Sequence, residues 1–286
     1  MFFVYRFDVF TSPCELQLFG ASKTVCDTTA ATVLRRSKQL EAKYSFFDPN
    51  SFLSSINNRH TNKVKIDKET HDILKALEPL MASTNYVFDI AYAGTLKECF
   101  KLESIEAMER RKEELLPFAD HTHYELSKTY IAFSNPHTKI DLGGVIKEYA
   151  VDEAAKTIRQ AKIKHALINF GGDISVVGAK PNGETWKIGI KNPQNPSVDL
   201  FAVELDDTSL ATSGHYERSI SIENENFSHV MPRTESKSDI LQASVIHKSA
   251  MTAGVFSTAL LLQETVSIPK GANGYLINSD LNVTSI

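Results

Sequence analysis

The sequence predicts an α+β fold of mainly antiparallel sheets with packed helices. Strand-like runs come in clusters, helices are interspersed among them, and no regular βαβ alternation is present. A chain of 286 residues can build one large domain, or two intimately packed halves, around a substantial core. Neither a repeat nor a low-complexity linker marks a boundary, so 1–286 is read as one domain.

Phe3, Tyr5, Phe7 and Val9 alternate with other residues, so 2–10 reads as a strand. A second strand, 14–20, follows across the Ser12-Pro13 turn. Val25, Val33, Leu34, Leu40 and Tyr44 fall at helical spacing and predict a helix over 23–44. The Asp48-Pro49-Asn50 turn introduces a short helix over 51–57. Ile73, Leu74, Leu77 and Leu80 carry a helix over 67–83, and 103–115 reads as a highly charged, solvated one. Residues 125–134 and 139–142 read as strands around the Asn135-Pro136 turn. A helix over 147–161 leads to strands at 166–170, 174–178, 186–190 and 200–205. Strand-like 219–222 and 243–246 precede a buried helix near 249–263, and 275–277 closes a last strand.

Composition narrows the function classes. Apolar residues make up 42% and charged residues 23%, ordinary values for a soluble globular protein. A net charge of -4 supplies no basic field, which argues against a nucleic-acid partner. Any anionic ligand must be held by local groups. Cys14, Cys26 and Cys99 form no CxxC pair and read as reduced thiols of a cytoplasmic protein. Met1 to Phe10 carries Arg6 and Asp8 inside its apolar run and does not resemble a signal peptide. No run reaches the roughly 18 apolar residues that span a bilayer, so no transmembrane segment is expected.

The densest signal is Ile140-Asp141-Leu142-Gly143-Gly144-Val145-Ile146-Lys147. An acidic residue ends a strand-like run, two glycines follow, and a lysine sits at a helix start. Glycine tolerates positive φ and lets a ligand approach the main chain. The first N–H groups of a helix, with a nearby lysine, suit a phosphate. The pattern suggests a nucleotide or pyrophosphate site.

Three more segments join it: 45–57, 166–174 with Gly171, Gly172 and Asp173, and 211–218 followed by His229 and Pro232-Arg233-Thr234. Their order and spacing, from about residue 8 to 280, resemble the FAD:protein FMN transferases, the ApbE-like flavin transferases. The resemblance implies the ApbE-like, T-fold-like architecture. It also implies a reaction in which FAD, with Mg2+, gives its FMN half to a threonine hydroxyl of a partner redox protein, releasing AMP. Residue by residue, it makes Phe47 an aromatic packed on flavin, Asp141 an acidic ligand contact and Lys147 a contact to FAD. It puts Ser213, Gly214 and Arg218 near the active site and makes His229 the active-site histidine. An imidazole can accept a hydroxyl proton near neutral pH. The metal is expected on Thr258 and on the Gly144 and Ser257 carbonyls.

The chain departs from the family in several places. His215 replaces an aspartate, and the segment after His229 lacks another. Phe88-Asp89-Ile90-Ala91-Tyr92-Ala93-Gly94 matches a family motif with an extra residue and no threonine. Gly254 replaces the metal-binding aspartate of the late helix, and losing that carboxylate is expected to weaken metal binding. Glycine there costs about 1 kcal/mol relative to alanine, so helix propensity does not explain it. Two further functions therefore stand beside the transferase: a flavin- or nucleotide-binding protein without catalysis, and an FAD pyrophosphatase.

Overall fold

The computed structural model describes residues 1–215, 219–223, 225–228, 233, 238–263 and 265–286. β1 (Phe2–Val9) and β2 (Ser12–Phe19) form the opening hairpin. α1 (Lys23–Tyr44) begins where the Ser22 hydroxyl accepts from the Val25 N–H, and it buries Cys26, Val33, Leu40 and Tyr44. Its limits are those that the apolar spacing predicts. α2 (Phe52–Asn57) follows, capped by Ser51. β3 (Lys63–Lys65) precedes α3 (Lys68–Ser83), which Asp67 caps. α4 (Ile90–Leu96), capped by Asp89, has no counterpart in the sequence reading. α5 (Ile105–Leu115) buries only Met108 and Leu115, in a small cluster with Tyr92 and Leu96, as its charge predicts.

Two strand assignments change. Residues 125–134 are a hairpin, β4 (Tyr124–Ser127) and β5 (Tyr130–Phe133), with β3 on its other edge. Residues 139–142 join no sheet. Their polar groups go elsewhere: Asn57 donates to the Ile140 carbonyl at 2.8 Å and accepts from its N–H at 2.9 Å. The Asp141 N–H donates to the Ile90 carbonyl at 2.9 Å. An extended segment can satisfy its backbone on side chains and helix ends as well as on a neighbouring strand.

α6 (Ile146–Gln160) leads into β6 (His165–Phe170) and β7 (Asp173–Val177), then the hairpin of β8 (Trp186–Asn192) and β9 (Asn195–Leu205). β10 (Ser209–Gly214) was legible only as a motif, because its small polar residues carry no strand pattern. β11 (Ser219–Ile222) and β12 (Glu225–Ser228) form a separate ribbon. β13 (Ile240–His247), α7 (Ala250–Leu262), β14 (Asn273–Asn278) and β15 (Val283–Ser285) complete the order, so 275–277 is not the last strand.

The main sheet runs β1-β2-β6-β7-β10-β13-β14-β15, antiparallel at every pairing. α1, α6 and α7 pack over one face, and the β8–β9 hairpin covers part of the other. β7 shows the two-sided burial in its pattern. Val177 enters the helix-side core, while Ile174 and Val176 join Trp186, Ile188 and Leu205 on the far side. The Trp186 indole N–H donates to the Gly178 carbonyl at 2.8 Å, so its burial leaves no orphaned donor. No described helix is long and apolar enough to cross a membrane. All three cysteines are free and buried, and burial raises the Cys14 thiol to about 12 and Cys99 to about 11. Such thiols are poor nucleophiles.

Candidate active site

The extended segment 140–144 lies between α4 and α7, and the two helices turn it into a site. Asp141, Gly144 and Thr258, far apart in the chain, line one cavity of about 120 Å³ together with Phe88, Tyr92 and Lys97. Asp141 accepts from the Gly143 N–H at 2.9 Å and from the Lys97 ammonium at 2.5 Å. That ammonium also lies 5.0 Å over the Phe46 ring and 5.1 Å over Phe47. Phe47 is 65% exposed, so it is not a core residue. Lys97 escaped the sequence reading, because it belongs to no recognised segment and only folding brings it to Asp141.

Gly143 and Gly144 do not take positive φ; Gly171 and Gly172 do, at 60 and 99. The first pair instead leaves space beside the cavity, tightly at Gly143 and less so at Gly144. A Cβ on Gly143 would stand 3.2 Å from Asp141 Oδ1 and 3.4 Å from Lys97 Nζ, and one on Gly144 would stand 3.5 Å from Phe88. Both glycines keep the cavity wall thin beside its only described carboxylate–ammonium pair.

A wall of hydroxyls closes the α7 side. Ser213, at the end of β10, lies 2.9 Å from the Ser257 hydroxyl and 3.0 Å from the Thr258 hydroxyl. The Ser257 hydroxyl donates to the Gly254 carbonyl at 3.1 Å. Three predicted positions thus meet: Ser213, Ser257 and Thr258. Gly214 adjoins them at the strand end. His215 follows, and burial lowers its pKa. His229 and Arg218 lie outside the described residues.

Lys147 faces a different way. Its ammonium pairs with the buried Asp173 carboxylate at 2.8 Å, beside a larger hollow of about 630 Å³ that includes Ser12, Gly171 and Gly172. The next residue, Glu148, turns into the protein and is buried against α7. Desolvation, and then the charge of Asp173, push its carboxyl well above the ordinary 4.5. The folded state therefore holds this proton more tightly than the unfolded chain does. Stability linked to it is complete below about 4.5 and declines as pH rises through the folded value. Glu148→Gln, neutral throughout, is expected to melt several degrees above wild type at about pH 9, with the gap closing in acid. Scanning calorimetry across that range checks it; equal melting at high pH would contradict the burial account.

Among the described residues one further acidic group could hold a cation: Asp89, Asp120 and His121. Arg233 already fills it, pairing with Asp89 and with Asp120 at 3.0 Å, its guanidinium 4.6 Å over Tyr92. Asp89 also accepts from the Ala91 and Tyr92 N–H groups at 2.7 and 3.3 Å. The group fastens residue 233 to the start of α4, which is structural work.

The ApbE family profile matches residues 10–275. The chain belongs to the ApbE family. It is 26% identical over 242 residues to the FAD:protein FMN transferase of Chlamydia pneumoniae, covering 78% of this chain and 72% of that one. Against that of Rhodobacter capsulatus it is 30% identical over 166 residues, covering 57% of this chain and 31% of the relative. The Vibrio cholerae counterpart aligns over 49% of this chain and 43% of its own length, at 27% identity. The chain thus spans less than half the length of these last two relatives. In structure it is similar to the ApbE protein of Thermotoga maritima, with a TM-score of 0.84, 23% identity, and 99% and 96% of the two chains covered. A mutant of the flavin transferase ApbE from Vibrio cholerae superposes with a TM-score of 0.82 at 18% identity, covering 100% and 97%. These two likenesses establish the α+β fold that the sequence predicts for an ApbE family member.

Thr258 lines the cavity, and the oxygens linked to it or packed on α7 behind it fit a hard cation. Ser213, Ser257 and Thr258 offer hydroxyl oxygens, and the buried Glu148 Oε2 has no hydrogen-bond partner among the described residues. Magnesium is bound by oxygen ligands of this kind. Sequence reasoning missed Glu148, because glutamate in the first turn of a helix ordinarily reads as a solvated, dipole-favoured residue.

Proposed function

We propose that this chain is an FAD:protein FMN transferase that uses magnesium and a threonine-bearing partner protein. The convergence of Asp141, Gly144 and Thr258 on one cavity, with Ser213 tied to Thr258, is the observation that carries this reading. The family membership and the names of the relatives support it.

In this reading the acceptor hydroxyl oxygen bonds to the FMN phosphorus of FAD. The bond from that phosphorus to the bridging pyrophosphate oxygen breaks, and AMP leaves. His229 takes the hydroxyl proton. Lys97 and Asp141 form a charged corner for polar groups of the dinucleotide, and exposed Phe47 offers its ring to the flavin. Gly144, Ser257 and Thr258 would hold magnesium, which would neutralise charge developing on the pyrophosphate. The thin glycine wall lets ligand approach the main chain without meeting a side chain.

The test mixes the purified chain with FAD, magnesium and a threonine-bearing acceptor. Transfer adds the FMN mass to the acceptor and releases AMP. His229→Ala is expected to slow transfer by about 10²–10⁴-fold with FAD still bound. AMP without acceptor labelling would point to a pyrophosphatase, and tight FAD binding with neither product to a binding protein.

A further inference from the structure

The loss of a carboxylate at position 254 looks, from the sequence, like damage to the metal site. The structure shows what occupies that space. A Cβ built on Gly254 would stand 2.7 Å from Glu148 Cγ, 3.2 Å from Cδ and 3.4 Å from Oε1. Real Cβ atoms do not approach so closely, so a side chain at 254 and the present position of Glu148 exclude each other. Gly254 is the cradle into which α6 delivers a carboxylate. The glycine that helix propensity left unexplained has a packing reason.

That carboxylate is in an unusual state. Glu148 is 7% exposed, and its Oε2 is buried with no hydrogen-bond partner among the described residues. Burying an unpaired carboxylate oxygen is costly unless a cation or proton balances it. Asp173 is its close carboxylate neighbour, and the charge of Asp173 and a side-chain hydrogen bond to it both favour a proton, or a cation in its place, on Glu148. The Lys147 ammonium lies 2.8 Å from Asp173 Oδ2 and is committed to that partner. The Gly254 carbonyl meets the Ser257 hydroxyl, which meets Ser213, which meets Thr258. Glu148 of α6 therefore faces Gly254 of α7, one helical turn from the linked hydroxyls of Ser257, Ser213 and Thr258.

We propose that Glu148 supplies the carboxylate that this site directs at its divalent cation, in place of a side chain at 254. The carboxylate has moved to the facing helix, and positions 148 and 254 work as an exchanged pair. The inference rests on the metal-dependent reading given above, and it makes Glu148 a ligand in addition to Ser257 and Thr258.

Mn2+ binding to the full chain, followed by electron paramagnetic resonance with and without FAD, tests it. Glu148→Gln keeps the shape and removes the charge, and it is expected to weaken Mn2+ binding by about 10–100-fold. Its melting temperature without metal should not fall, which separates ligand loss from unfolding. Gly254→Asp by itself is expected to melt lower than wild type, because its Cβ meets Glu148. Combining Glu148→Gly with Gly254→Asp is expected to recover Mn2+ binding to within about threefold of wild type, since a carboxylate again faces the hydroxyl wall. If Glu148→Gln binds Mn2+ as wild type does and still transfers FMN from FAD to the acceptor with release of AMP, the assignment of Glu148 is wrong and the transferase reading stands. If wild type transfers no FMN to the acceptor at any Mn2+ concentration, that reading fails with it.

Discussion

Gly94→Ala is expected to destabilise the protein by about 2–4 kcal/mol and to weaken FAD binding with it. Gly94 sits in α4, where alanine by itself would gain about 1 kcal/mol from helix propensity. Packing outweighs that gain. The added Cβ would stand 2.5 Å from the Ile140 carbonyl carbon and 2.6 Å from the Asp141 nitrogen, both backbone atoms that cannot rotate away. Segment 140–142 must shift, which strains the Asn57 pair and the Asp141–Ile90 hydrogen bond together. Urea unfolding measures the loss as a lower midpoint at unchanged slope. Gly143→Ala is the matched comparison, since its Cβ meets only movable side-chain atoms of Asp141 and Lys97. It should fold almost normally and still bind FAD less well. Equal stability of Gly94→Ala and wild type would show that α4 does not press on this segment as described.

Asp152→Ala is expected to cost about 3 kcal/mol and to abolish most activity, through α7. Asp152 projects from α6 onto the start of α7, where it accepts from the Ala250 N–H at 2.7 Å, the Met251 N–H at 3.1 Å and the Ser249 hydroxyl at 2.8 Å. It thereby satisfies the free amides of a helix whose sides are almost wholly apolar and buried. Burial raises the pKa of this carboxyl in spite of the three donors. Asp152→Asn, which keeps an acceptor without the charge, is therefore expected to lose clearly less stability than the alanine variant. Thermal melts and Mn2+ titrations on both read the two consequences. Removing the cap frees the helix that carries Gly254, Ser257 and Thr258, so metal binding should fall along with stability. An Asp152→Ala protein that melted with wild type would refute the capping role.

Much of the architecture was legible because it is written in local periodicity. α1 begins and ends where its apolar spacing and Ser22 predict. β6 and β7 lie within a residue of their alternating runs, and the buried α7 was visible as an apolar stretch. The failures share a cause. Segment 139–142 has strand-like residues, yet its partners are a side chain 83 residues away and a helix carbonyl, and neither leaves a local trace. β10 was hidden because Ser209, Thr212 and Ser213 owe their strand to β13 and to the hydroxyl wall under α7.

The candidate site divides in the same way. By itself the sequence determined the family, the α+β class, and the residue types at Asp141, Gly144, Ser213, Ser257 and Thr258, since motif order survives along a linear chain. Only the tertiary structure decided that Lys97 answers Asp141, that Lys147 is held by Asp173, and that Glu148 fills the space left at Gly254. Those pairings depend on which helix faces which. That is settled by packing between segments far apart in the chain, where exclusion of one side chain by another leaves no periodic signal to read.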